Sequence, residues 1–171
     1  MKPENVSKSL AMTRKARVMV LESWGPFDDG FRSYILTKGS EEEIPLWLAV
    51  ELEKRGIVKT LSLYTLEDLS RVFFQERERA NVPGSLVKLD RDFYVKANYY
   101  IERLASSNRI EDLEAKKKSE VILSEIKKLR FRKIMNLALL KVNDPKVLDS
   151  LTYEELLTFY TIRDFLEPQE G

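Results

Sequence analysis

The chain has 171 residues, 43% hydrophobic and 33% charged, with 29 basic side chains against 28 acidic ones for a net charge of +1. Such a chain can build one ordinary domain, or a main domain with a small annex, around a real apolar core. It has no cysteine and no histidine, which excludes disulfides, thiolate nucleophiles, zinc–sulfur sites and every Ser-His or Cys-His triad.

Residues 1 to about 15 read as a polar, frayed N-terminal segment without the apolar core of a signal sequence. Ala16–Glu22 is partly β-branched and alternates imperfectly, which predicts a short strand. Gly25-Pro26 and Asp28-Asp29-Gly30 read as turns, Phe31–Thr37 as a second strand, and Lys38-Gly39-Ser40 as a further turn. A helix follows. Pro45 suits its first turn, and Glu41, Glu42 and Glu43 sit where the helix dipole favours negative charge. Leu46, Leu48, Ala49 and Leu52 supply the buried face, with Trp47 expected in the core. Gly56 stands where a left-handed cap would end the helix. Ile57–Tyr64 predicts a third strand, so residues 1–64 form a small β-rich (α+β) domain.

Residues 65–171 change character. Thr65 caps a helix to about Ala80, Val82-Pro83-Gly84 interrupts it, and Asp90 opens another that carries Phe93, Ala97, Tyr100, Ile101 and Leu104 on one face. Ser106-Ser107-Asn108 closes that helix. Glu111 to about Val142 predicts a long charged helix that can accommodate one break, ending before the breaker Asn143-Asp144-Pro145. Thr152-Tyr153-Glu154-Glu155 is a capping box opening a last helix to about Leu166, and Glu167–Gly171 is a polar tail. The fold class is therefore mainly α. A helical bundle of about four to five helices follows a short-stranded β-rich module.

Chemistry is hard to find. No glycine-rich phosphate loop and no calcium-loop spacing occurs, and Glu41–Glu43 and Glu154-Glu155 are explained by helix starts. Neither a catalytic residue nor a metal or cofactor is expected. From Arg109 to Lys133 nine basic residues face five acidic ones, whereas Asp144–Gly171 holds seven acidic and two basic residues. Lys127, Lys128, Arg130, Arg132 and Lys133 form a candidate basic face that could track nucleic-acid phosphates. A solvated face laced with i,i+4 pairs, or attraction to the acidic C-terminal segment, explains the same pattern. The adjacent aromatics Phe73-Phe74, Phe93-Tyr94, Tyr99-Tyr100 and Phe159-Tyr160 imply broad apolar helix faces, covered by a second chain or by the core.

The run Ile44-Pro45-Leu46-Trp47-Leu48-Ala49, continuing through Val50-Glu51-Leu52-Glu53-Lys54-Arg55-Gly56, resembles the signature helix of the GINS DNA-replication family. Leu89-Asp90-Arg91-Asp92-Phe93-Tyr94, Arg132-Lys133-Ile134-Met135-Asn136-Leu137-Ala138 and Leu151-Thr152-Tyr153-Glu154-Glu155 resemble segments of that family's helical domain. The order of modules looks like the small-domain-first archaeal subunit, related to the eukaryotic Psf-type subunits. The resemblance implies a non-catalytic scaffold that forms a 2:2 heterotetramer with a sister GINS subunit. It also implies bridging of the MCM helicase to a RecJ-like (Cdc-type) protein, with primase or DNA polymerase as further partners. On this reading Phe93, Tyr94, Tyr99 and Tyr100 contribute to the subunit interface, and direct DNA contact is weak or absent. The alternative is a stand-alone basic helical DNA-binding protein. No run approaches the roughly 18–20 apolar residues of a membrane span, so the expected location is cytoplasmic, at the nucleoid.

Overall fold

The computed structural model describes residues 3–82 and 84–166. It divides into two compact units, Lys8–Leu63 and Tyr64–Gly171, the second together with Met1–Ser7. The first element is a helix, α1 (Pro3–Met12), where the sequence suggested a frayed tail. Between Pro3 and Met12 the one β-branched residue is Val6, and proline is well tolerated in a first turn.

The small unit contains β1 (Lys15–Val20), β2 (Trp24–Asp28), β3 (Ser33–Leu36), β4 (Glu41–Pro45), α2 (Leu46–Lys54) and β5 (Val58–Thr60). β1 is the centre of an antiparallel sheet of order β4-β1-β5. Its alternation buries Ala16, Val18 and Val20 and turns Lys15 and Arg17 outward. Glu41, Glu42 and Glu43 do not start a helix, as the sequence had suggested. They lie in β4, paired with β1 in the register Arg17↔Glu43 and Met19↔Glu41. Lys15–Glu43 and Arg17–Glu41 approach to 3.6 Å each, so cross-strand charge favours the strand at these acidic positions. Gly25-Pro26 is likewise no turn: both residues belong to β2, which pairs with β3 through an irregular register between Trp24 and Phe27. Gly25 adopts φ +112°, and a Cβ there would lie 2.5 Å from the carbonyl oxygen of Tyr34.

Helix α2 packs on the sheet with Leu46, Leu48, Ala49 and Leu52 buried. Pro45 is its N-cap, one position earlier than a first-turn proline. Its end is the expected one. Ile57 N–H donates to Leu52 O (3.0 Å) and Gly56 N–H to Glu53 O (3.0 Å), with Gly56 at φ +72°, the Schellman pattern. The Glu53 carboxylate then accepts from Thr60 N and Thr60 Oγ1 at 3.1 and 3.0 Å, tying α2 to β5.

The second unit contains α3 (Leu66–Glu78), α4 (Phe93–Ala105), α5 (Ile110–Leu139), the short α6 (Pro145–Leu148) and α7 (Tyr153–Leu166). Thr65 caps α3 through a reciprocal box with Asp68. Pro83, part of the expected interruption after α3, lies outside the described residues, as does the tail Glu167–Gly171. Helix α5 runs unbroken for 30 residues, and α3, α4 and α7 all pack against it. It ends in a second Schellman pattern, Val142 N–H to Leu137 O and Lys141 N–H to Ala138 O, but with Lys141 at φ +52° in the place glycine prefers. The breaker Asn143-Asp144-Pro145 also starts α6, for Asp144 Oδ1 accepts from Lys146 N at 2.9 Å and Pro145 takes the first turn. Ile134, Leu137 and Ala138 of α5 form a core cluster with Leu151 and Phe159.

Candidate interaction surface

The three helical segments singled out in the sequence converge on one buried cluster of charge. Arg130 of α5 is wholly buried and donates to Glu155 Oε1 and Oε2 (2.7 and 2.8 Å), to Val87 O (2.8 Å) and to Ser150 O (2.9 Å), and it also binds Glu76 Oε1. Lys133, one turn further on, donates to Glu76 Oε2 (2.5 Å) and to Ser85 O (2.8 Å). The Tyr94 hydroxyl of α4 donates to Glu155 Oε1 at 2.6 Å. Glu155 closes the expected capping box as well, accepting from Thr152 N at 2.9 Å while Thr152 Oγ1 accepts from Glu155 N at 3.3 Å.

Two carboxylates and two cations thus compensate one another out of water, and each is held by several hydrogen bonds. Burial opposes the guanidinium's charge, yet the bonds to Glu155 outweigh it and hold the Arg130 pKa above its ordinary value. Burial, reinforced by the Glu155 charge, pushes the Tyr94 phenol well up, so it stays a proton donor. Around this cluster the segment before α4 is stitched to the segment before α7. Arg91 donates to Leu148 O and Leu151 O (3.0 and 2.6 Å), Lys88 to Asp149 (2.5 Å), and Tyr153 N–H to Arg91 O (3.0 Å).

This arrangement corrects two expectations. The five cations do not form one basic face, because Arg130 and Lys133 are buried to satisfy Glu76 and Glu155. Lys127, Lys128 and Arg132 are exposed; Lys127 lies over the Tyr94 ring at 5.2 Å, and Lys128 pairs with Glu125 at 2.7 Å. Attraction between the basic helix and the acidic C-terminal segment does occur, at Arg130–Glu155. The aromatics assigned to a subunit interface are also mostly inside: Phe93, Tyr94 and Tyr100 are buried and Tyr99 is half-buried. Phe93 packs edge-on between Tyr64 and Tyr94, at 4.6 and 5.2 Å between ring centres. Core packing, the other reading of these pairs, is the one the structure adopts for these three.

Within the Ile44–Ala49 run, Ile44, Leu46, Leu48 and Ala49 are buried, but Trp47 keeps 38% of its surface exposed and touches Phe27 edge-on at 6.4 Å. Glu76 was not singled out in the sequence. Its signal was a carboxylate at a core position of α3, seven residues after Leu69 and four after Val72.

Part of the apolar surface left open on the second unit forms a stripe. Phe131, Met135 and Leu139 recur at i, i+4 and i+8 of α5, on the side away from Ile126, Arg130, Lys133 and Leu137, and all three are exposed. Leu157, Tyr160 and Phe165 are exposed on α7. Among the described residues no group of three acidic side chains could hold a metal ion, and no helix is long and apolar enough to cross a membrane.

The sequence model for the GINS complex protein helical bundle domain matches residues 63–167, more than half of the chain. The chain belongs to the GINS family. The match spans α3 to α7 with the whole Arg130 cluster, and starts after the Ile44–Ala49 run. No curated protein matches the chain. GINS proteins are non-catalytic subunits of a DNA-replication complex, and membership implies assembly with other GINS subunits. In this GINS chain the buried charge cluster fixes how the bundle's helices meet, while Phe131, Met135 and Leu139 of α5 and Leu157, Tyr160 and Phe165 of α7 remain at the surface.

Proposed function

We propose that this GINS chain is the small-domain-first archaeal subunit, a scaffold that pairs with a sister GINS subunit in a 2:2 heterotetramer. In this reading the assembly bridges the MCM helicase to a RecJ-like (Cdc-type) protein, with primase or DNA polymerase as further partners. Binding two partners at once favours the helicase conformation in which both sites are filled, which is linkage and not chemistry. The observation that supports it is the exposed stripe Phe131, Met135 and Leu139, because ordered apolar surface of this kind marks an interface. The order of the two units along the chain supports the subunit type.

The test is co-expression with a sister GINS subunit and measurement of mass by size-exclusion chromatography with light scattering. The unmodified pair should give the mass of two copies of each chain. Met135→Glu with Leu139→Glu should reduce it while helical content is retained. A pair that never associates, or a mass unaffected by the double substitution, would overturn the reading.

A further inference from the structure

The β2–β3 hairpin presents a second apolar feature, of a different kind. Phe31 is completely exposed, Ile35 is 72% exposed, and Pro26 of β2 is exposed as well. An exposed phenylalanine in a loop can usually turn back against the surface. Here the loop is fastened. Asp28 Oδ1 accepts from Gly30 N at 2.7 Å, and Asp29 Oδ1 accepts from Phe31 N and Arg32 N at 2.9 and 2.8 Å. The Ser33 hydroxyl donates to Asp28 Oδ2 (3.1 Å) and the Tyr34 hydroxyl to Asp29 Oδ2 (3.0 Å). Gly30 at φ +87° completes the turn. The backbone N–H groups of Phe31 and Arg32 hold Asp29 below its ordinary pKa.

From this we infer that Phe31 is a single-residue anchor for a protein partner other than a copy of this chain, one with an apolar pocket the size of one ring and a basic rim. The inference rests on the scaffold reading above. Area decides against a second copy: Phe31 with Ile35 and Pro26 offers on the order of 400 Å², about half of the roughly 800 Å² per partner of a stable interface. Such a patch works as one hot-spot residue entering a pocket. A fully exposed ring lines no cavity, so a small ligand is not its occupant. Charge decides against nucleic acid and anionic membrane. Asp28 and Asp29 flank the ring against the one cation Arg32, and base stacking needs a groove of positive charge to hold the phosphates. The same two carboxylates suit lysine or arginine on the rim of the partner's pocket.

The experiment places the photoreactive analogue p-benzoylphenylalanine at position 31 of the full chain in cells of the source organism. The cross-linked residue is identified by mass spectrometry. That partner is then purified and titrated with the unmodified chain and with Phe31→Ala. The expected result is a cross-link to another protein at an apolar pocket, and at least about thirtyfold weaker binding by Phe31→Ala, the loss typical of a hot spot. A cross-link to a second copy, to nucleic acid or to lipid, no cross-link, or a change in affinity under about threefold overturns the inference. Phe31→Ala should leave assembly with the sister GINS subunit intact. Failure of the anchor with that assembly preserved rejects this surface alone, whereas failure of the unmodified chain to assemble rejects the scaffold reading.

Discussion

Arg130→Met tests what holds the bundle together. The substitution keeps most of the buried volume and removes five polar contacts, three to carboxylate oxygens and two to backbone carbonyls. Glu155 would retain the Tyr94 hydroxyl and Thr152 N, and Glu76 would retain Lys133 and Val87 N, but Glu155 would lose its counter-charge. Removing one partner of a buried pair costs about 3–5 kcal/mol, a large share of the roughly 5–15 kcal/mol that stabilises a typical domain. With a urea slope of about 2 kcal/mol per molar, the midpoint should fall by about 2 M. Far-UV circular dichroism is the readout, because both tryptophans, Trp24 and Trp47, lie in the small unit and fluorescence would not follow the bundle. Arg130→Lys separates charge from geometry. A lysine keeps the charge but lacks the fork that reaches Glu76 and Glu155 together, so about half the loss should remain. A midpoint shift below about 0.5 M for Arg130→Met would refute the claim that this cluster is structural.

Two further substitutions act on single strained or desolvated groups. Glu154 is pushed above its ordinary value of 4.5 by burial, partly offset by hydrogen bonds including one with Thr152. A carboxylate whose folded pKa is raised loses stability as pH rises through that pKa, so Glu154→Gln should stabilise the chain at pH 7 by less than about 1 kcal/mol. That gain should shrink as pH falls towards 4.5, which urea titrations across pH 4 to 8 will check. Lys141 holds the left-handed position after α5 at φ +52°. Lys141→Gly should therefore raise the urea midpoint, by up to about 1 kcal/mol of stability; a lower midpoint would show that the lysine side chain contributes more than its backbone costs.

Much of the fold could be read from local signals. Thr65, Gly56 and Thr152 each marked a helix end through a cap that needs only neighbouring residues. Glu41–Glu43 could not be read that way, because acidic residues before an apolar run fit a helix start until β1 supplies Lys15 and Arg17 across the sheet. Arg130 and Lys133 misled for a related reason. A cation looks solvent-facing in one dimension, and its place in the core depends on Glu76, 54 residues away from Arg130 and 57 from Lys133. The aromatic pairs marked α4 as broadly apolar, and Phe93, Tyr94 and Tyr100 are buried, but how much of such a face a single chain covers depends on how closely α4 packs on α5. The Ile44–Ala49 run named the family, while the match itself falls on the bundle.

The long reach of Arg130 also has a kinetic side. Its partners lie 54 residues before it and 25 residues after it, so the cluster forms only after two large loops have closed. Interactions made late are absent from the folding transition state, and they act on how fast a protein comes apart more than on how fast it assembles. The cluster is expected to work as a brake on unfolding, giving the bundle a long lifetime once formed.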